Sequence, residues 1–462
     1  MFDKNVYIER RKLLKKQIGS GVILILGNVE SPMNYPANTY HFRQDSNFLY
    51  FFGLDKPGFA GLIDVEESKD YLYGEDFTID DVIWMGPQPS VKELAEEVGV
   101  FHTGAPAQLS EKLKDAVSKN RKVHFLPPYR AENTIQLEKL LGISCSEMKA
   151  NASVDLIKAV VEQRSVKSEL EVNEIIAALD ISSEMYAIIM DMAKPGIYER
   201  EIAGKIAGIA GAHGANISFP IILSIHGETL HNHSHHNLLK ENNLLVADSG
   251  AESPLHYASD ITRTFPVGGR FTPGQKEIYQ VLLNAQLAAI EAIKPGIPYK
   301  DIHLNTSKVI AQGLKELGLM KGDIEVAVHE GAHALFFPHG LGHMLGLDVH
   351  DMEDLGENYV GYDETVERSK QFGLAYLRLA KALKPGYVLT VEPGIYFIPA
   401  LIDMWKEEKK FDQFIDYAKV EKFKGFGGLR IEDNVLVTGN GYRVLGQSIP
   451  KSITEIERIM TK

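Results

Sequence analysis

The chain has 462 residues, 44% of them hydrophobic and 24% charged, with a net charge of -13. That length suits two or three domains with ordinary cores; the acidic balance is against the basic surface of a nucleic-acid binder, and no apolar run approaches the roughly 20 residues that span a bilayer. A single cysteine, Cys145, excludes an internal disulfide and a cysteine-rich zinc site, so any metal has to be held by His, Asp and Glu.

The first segment, MFDKNVYIERRKLLKKQ, has no apolar stretch of the signal-peptide kind and reads as the start of an amphipathic helix. With one cysteine, this makes a cytoplasmic protein the expectation. GVILILG (Gly21–Gly27) and AGLIDV (Ala60–Val65) read as buried strands, whereas VKELAEEVG and AQLSEKLKDAVSK read as helices. The alternation predicts an α/β N-terminal domain over residues 1–160. ANASVDLIKAVVEQRSVKS looks like the join to a second domain, 161–462, whose first long helix begins near Ser168 with Glu171 placed for a capping box.

A repeat follows. A long helix, a Lys-Pro-Gly stop at Lys194–Gly196 and a second helix are matched by a long helix, Lys-Pro-Gly at Lys294–Gly296 and another helix. Pro cannot continue a helical ladder and Gly takes the left-handed cap, so the coincidence is either a common stop signal or an internal duplication. Each half then supplies strands, Leu244–Phe265 in one and Tyr387–Val437 in the other.

VADSGAESPLHYASDITRTFP (Val246–Pro266) reads as strand, short turn, strand, with Asp248 ending the first strand and Asp260 inside the second. A hairpin brings these carboxylates together, and burying them unpaired costs several kcal/mol. HNHSHHN carries His231, His233, His235 and His236 and reads as a solvated loop, its first member set apart. FFPHGLGHMLGLDVHD carries His339, His343 and His350. In YVLTVEPGIYFIP, Glu392 ends an apolar strand; in GFGGLRIEDNVLVT, Glu432 interrupts another, with Arg430 two residues earlier on the same face.

Singly, each has an ordinary explanation: Asp at a turn, His in a glycine loop, Glu on the open face of a sheet. Together, Asp248, Asp260, His343, Glu392 and Glu432 come from separated segments with strongly apolar neighbours. Four carboxylates and one imidazole form a hard, oxygen-rich set that suits Mn²⁺, Co²⁺ or Zn²⁺. Four negative charges exceed what one divalent ion needs and would balance two, the arrangement that clamps an attacking water.

These motifs resemble the metallopeptidases with the pita-bread fold, and within them the proline-specific branch, Xaa-Pro aminopeptidase (aminopeptidase P) and prolidase. YHFRQDSNFLYFFGLDKPG (Tyr40–Gly58) is similar to the opening motif of that family's N-terminal domain, and LHNH, DSGAESPLHYASDITRTFP, PHGLGHMLGLDVHD, VLTVEPGIY and GGLRIEDNVLVT follow in the family's order. The resemblance implies an α+β pita-bread (creatinase/aminopeptidase-like) catalytic domain with pseudo-twofold halves, behind an N-terminal domain that supplies dimer contacts. It implies two divalent ions, Mn²⁺ first, bound by Asp248, Asp260, His343, Glu392 and Glu432. It also implies Glu392 as general base, His231 near the leaving group or developing oxyanion, His339 and His350 as substrate contacts, and Arg430 as a holder of substrate and of the Glu392 environment. The substrates implied are proline-containing peptides with a free N-terminus.

The Asp248–Asp260 interval is one residue longer than the family usually shows; the extra residue falls in ESPL, where a longer turn with the ligands kept is expected. TRTF after Asp260 leans to aminopeptidase P, which takes longer peptides. The insertion FIPALIDMWKEEKKFDQFIDYAKVEKFKGFGG resembles prolidase, which takes dipeptides. The aminopeptidase is favoured narrowly. The N-terminal domain argues against methionine aminopeptidase, and the filled ligand positions argue against a non-catalytic scaffold or a creatinase-like relative.

Overall fold

The computed structural model describes residues Met1–Thr461 as two compact units. The first comprises Met1–Arg164 and Met352–Tyr359. Its five-stranded sheet runs in the order His102–Gly104, Lys69–Tyr73, Ala60–Asp64, Val22–Leu26, Val123–His124. Val22–Leu26 and Ala60–Asp64 are buried along their whole length and pair antiparallel, Val22 opposite Asp64 and Leu26 opposite Ala60. Leu109, Leu113 and Ala116 share one face of the helix Pro106–Ser118 and pack with Leu137 on Leu24, Leu62 and Tyr73.

The second unit comprises Ser165–Asp351 and the chain from Val360 onward. Its first helix, Glu169–Met192, is capped as expected: Ser168 accepts from the Glu171 amide and Glu171 reaches back to Ser168. The two Lys-Pro-Gly segments make matching contacts. The Gly196 amide donates to the Leu239 carbonyl at 2.9 Å, and the Gly296 amide to Leu383 at 2.8 Å. In return, Leu239 donates to Ile197 and Leu383 to Ile297. Both glycines lie at positive φ, 91° and 85°, where an L side chain is strained. Bonds repeated at this level are a duplicated architecture rather than a recurring stop signal.

In the first half, helices Glu169–Met192 and Glu199–Ala212 precede a three-stranded sheet, Ile261–Pro266, Leu244–Ser249, Ile222–Ser224. In the second, helices Pro273–Glu291 and Tyr299–Glu316 precede the sheet Val388–Val391, Asp433–Val437, Tyr442–Val444 and the ribbon Gly394–Tyr396 with Gly428–Arg430. The halves join at their strands: the Glu432 amide donates to the Thr262 carbonyl at 3.0 Å, and the Thr264 hydroxyl to the Arg430 carbonyl at 3.1 Å. No helix among the described residues is long and apolar enough to cross a membrane.

Candidate metal centre and active-site cavity

Asp248 lies in the strand Leu244–Ser249, directly opposite Thr262. Asp260 stands one residue ahead of the strand Ile261–Pro266 rather than inside it. Two residues from Thr262, it shares that residue's face and so reaches the side of the sheet that carries Asp248. The turn between the two aspartates folds on itself. The Ser253 amide donates to Tyr257 and the His256 amide to Ser253, both at 2.8 Å, while His256 adopts a left-handed φ of 67° and pairs with Glu252 at 2.7 Å.

Glu392 follows the fully buried strand Val388–Val391, and its amide is held by the Leu341 carbonyl at 2.8 Å. Glu432 sits between Gly428–Arg430 and Asp433–Val437. His343 comes from a loop laid against the Glu392 strand: its amide donates to the Thr390 hydroxyl at 3.1 Å and its carbonyl accepts from the Thr390 amide at 3.0 Å. Only glycine permits this approach, because a Cβ on Gly342 would stand 2.0 Å from the Thr390 carbonyl oxygen.

The result is a buried cluster. One ligand atom each from Asp260, His343 and Glu432 lies within 4.8 Å of the others. His343 Nε2 is 3.4 Å from Asp260 Oδ2 and 3.5 Å from Glu392 Oε1. Its Nδ1 is 3.0 Å from the Met344 carbonyl, so the proton sits on Nδ1 and the Nε2 lone pair points at the carboxylates. Asp248 is ion-paired with Arg430.

Burial first, then the neighbouring carboxylates, pushes the Asp260 and Glu432 carboxyls well above their ordinary range, and burial raises Glu392 as well. Burial also keeps His343 neutral far below the usual imidazole range. One oxygen each of Asp248, Asp260 and Glu432 is buried without a hydrogen-bond partner. Orphaned carboxylate oxygens in one buried cluster with a neutral imidazole are what a site for hard divalent ions provides, and the residues present fit such ions.

Several residues that hold this cluster carried no separate signal in the sequence. Asn434 grips both backbone groups of Asp260, its Oδ1 accepting from the amide at 3.0 Å and its Nδ2 donating to the carbonyl. The Thr262 hydroxyl donates to Glu432 Oε2 at 2.7 Å and accepts from Arg430 Nε at 3.1 Å. The one available hint is their offset of two residues from Glu432 and Asp260, which places them on the ligand face of a strand.

The cluster floors a cavity of about 650 Å³ whose lining includes His231, His233, His339, His350, Arg378 and Arg430, with Phe219, Ile222, Leu230, Phe372, Tyr376 and Ile398 as apolar walls. His231 and His233 of the histidine-rich loop reach the lining; His235 instead bonds the Ile221 carbonyl at 3.1 Å. The His350 ring meets His343 edge-on at 4.2 Å between centroids. His339 is committed on both nitrogens: Nδ1 donates to the Gly340 carbonyl at 2.8 Å and Nε2 accepts from the Tyr396 hydroxyl at 2.9 Å. That hydroxyl accepts from Arg430 at 3.0 Å. Burial and then Arg430 push the His339 imidazole down to about 3. Arg378 was not anticipated, because its segment carries no motif; it lies near His231 and Glu392.

Known proteins resemble this chain along most of its length. Residues 173–439 match the model of metallopeptidase family M24, and residues 7–124 that of the aminopeptidase P N-terminal domain. The chain is 32% identical to human Xaa-Pro dipeptidase over 455 residues, covering 96% of this chain and 89% of that one. It is 33% identical to a probable Xaa-Pro aminopeptidase of Fusarium vanettenii, covering 91% and 88%. Aminopeptidase PepP of Pseudomonas aeruginosa superposes with a TM-score of 0.82 at 27% identity, covering 100% and 98%. Zinc-substituted Escherichia coli aminopeptidase P with product superposes at 0.81, also at 27% identity and with the same coverage. The pita-bread fold expected from the motifs is therefore the fold present, and the chain belongs to metallopeptidase family M24, among its Xaa-Pro peptidases.

Proposed function

We propose that this protein is an Mn²⁺-dependent Xaa-Pro aminopeptidase that hydrolyses the bond between an N-terminal residue and proline. The observation that carries the reading is the convergence of Asp248, Asp260, Glu392 and Glu432 on the neutral His343, with buried carboxylate oxygens left over, at the floor of a cavity of peptide size. These five residues would hold two divalent ions. Such ions supply Lewis acidity and bring the pKa of a bound water from about 15.7 towards neutrality.

The chain's own residues do the rest. Glu392 Oε1 accepts weakly from the Thr390 hydroxyl at 3.4 Å and faces the cavity. It takes a proton from the attacking water and returns it to the leaving nitrogen. His231 and His350, in the lining, meet the developing oxyanion. His339, with both nitrogens engaged, lines the cavity with its ring and holds Tyr396. Arg430 offsets the charge of Asp248 and keeps Tyr396 oriented. A proline in peptide linkage has no N–H to offer, so apolar walls such as Phe219, Ile222 and Leu230 suit its ring.

The second reading is a dipeptidase, favoured by the inserted segment between Glu392 and Arg430. Its helix Pro399–Glu407 packs Trp405 edge-on against Phe372 at 5.9 Å, and Phe372 and Ile398 both line the cavity. The discriminating experiment compares hydrolysis of Gly-Pro with that of a Xaa-Pro-Pro tripeptide in added Mn²⁺. Tripeptide turnover supports the aminopeptidase, exclusive dipeptide turnover replaces it with the dipeptidase, and neither with any divalent ion refutes both.

We also propose a homodimer. The helix Ile79–Met85 buries none of its residues and leaves Ile79 73%, Ile83 69% and Trp84 86% exposed, an apolar patch that a second copy would cover. Ile83→Glu with Trp84→Glu should convert a dimer to a monomer by light scattering. A wild-type monomer at assay concentration would end this reading. An exposed free thiol at Cys145 suits a reducing, cytoplasmic setting.

A further inference from the structure

The start of the helix Glu169–Met192 is tied to three segments that carry candidate ligands. The Lys167 amide donates to the Gly386 carbonyl at 2.8 Å, at the turn that opens the Glu392 strand. The Lys167 ammonium meets Asp351 Oδ2 at 2.7 Å, with each side chain only 1% exposed. Glu171, besides closing the cap on Ser168, accepts from the Tyr257 hydroxyl at 3.1 Å, in the turn between Asp248 and Asp260.

Asp351 closes the loop that begins at His343. Its amide donates to the Met344 carbonyl at 2.9 Å, the same carbonyl that orients His343 Nδ1 at 3.0 Å. Its carboxylate lies across Gly346, where a Cβ would stand 2.5 Å from Oδ2. Asp351 also follows His350 directly in the chain. The pair at Lys167 and Asp351 is therefore fastened to the ligand His343 on one side and to the cavity-lining His350 on the other.

A fully buried ion pair is a poor source of net stability, because desolvating two charges offsets most of their attraction. Its specific contribution is geometric. We propose that Lys167 is a positioning residue of the peptidase site: through Asp351 it holds the His343–His350 loop in register with the Glu392 strand. This rests on the Xaa-Pro peptidase reading.

The test uses the full chain with Lys167→Met, Asp351→Asn and the double variant, assayed on a Xaa-Pro peptide at saturating Mn²⁺ well below the unfolding midpoint. Hydrogen exchange of amides 343–351 is followed in parallel. Lys167→Met should lower kcat about 10- to 100-fold, as losses of residues that orient metal ligands do. Exchange of the Asp351 and Leu345 amides should quicken at least about tenfold while the helix Glu169–Met192 stays protected. The double variant should be no worse than Lys167→Met, since both changes break the same ion pair. A folded, metal-loaded Lys167→Met protein with wild-type kcat overturns the proposal, as do additive losses or unchanged exchange in the loop. Should the wild-type chain itself hydrolyse no Xaa-Pro peptide, the functional reading fails, and the exchange experiment still decides whether Lys167 holds the loop.

Discussion

Asn434→Ala removes a side chain that touches no substrate, yet it should damage both folding and metal binding. Asn434 is fully buried and serves the amide and the carbonyl of Asp260 at once. Alanine leaves both backbone groups buried without a partner, at about 1–3 kcal/mol each, so a total loss of about 2–6 kcal/mol is expected. The same bonds fix where the Asp260 carboxylate points, and losing such support typically costs about 10- to 100-fold in metal affinity. Urea unfolding of the chelated protein measures the first effect, and calorimetric titration with Mn²⁺ the second. A variant whose stability falls by less than about 1 kcal/mol and whose Mn²⁺ affinity is unchanged would refute the reasoning.

Other outcomes follow from the same geometry. Glu392→Gln should keep the fold and bind metal, since Asp248, Asp260, His343 and Glu432 remain, yet lose hydrolysis; a metal-loaded variant with wild-type kcat would remove Glu392 from its role. Chelation should cost more stability at pH 8 than at pH 5.5. The Asp260 and Glu432 carboxyls are raised in the fold, so their contribution is complete below the ordinary carboxyl range and lost as pH rises from there through their raised folded values, unless cations replace the protons. Thermal midpoints with and without chelator at both pH values check this. His333, buried and pushed down to about 4 mainly by burial, acts in the opposite direction. Its contribution is complete above pH 6.5 and is lost as pH falls towards 4, by at most about 3 kcal/mol. His333→Leu should flatten that part of the urea-midpoint profile, and a variant whose profile overlays the wild type would exclude His333 as the cause.

Much of the fold was legible because the relevant signals are local. The strand Val22–Leu26 and the capped start at Ser168 each follow from a few adjacent residues. The Lys-Pro-Gly repeat was legible as a pattern, although the bonds that make it a duplication, to Leu239 and Leu383, join residues far apart in the chain. The five candidate ligands stood out because carboxylates and a histidine interrupt apolar runs. What supports them did not: Thr262 and Asn434 are unremarkable in strands until the register sets Thr262 opposite Asp248 and the fold brings Asn434 onto the Asp260 backbone. Asp260 was expected inside its strand and stands just before it, where Asn434 rather than a strand neighbour takes its amide and carbonyl.

By itself the sequence determined the chemistry available: hard oxygen donors, one imidazole and no thiolate pair. It also determined the order of the segments that carry them, since residue type and short spacing are written in the chain. Only the tertiary structure decided which of these groups meet. That Arg430 is paired with Asp248, that His339 Nε2 is spent on Tyr396, and that Lys167 reaches Asp351 are properties of side chains separated by many tens of residues. Their energies depend on burial, which turns an ordinary surface pair into a costly and geometrically exacting one. Burial is set by the packing of the whole domain, and no short stretch of residues encodes it.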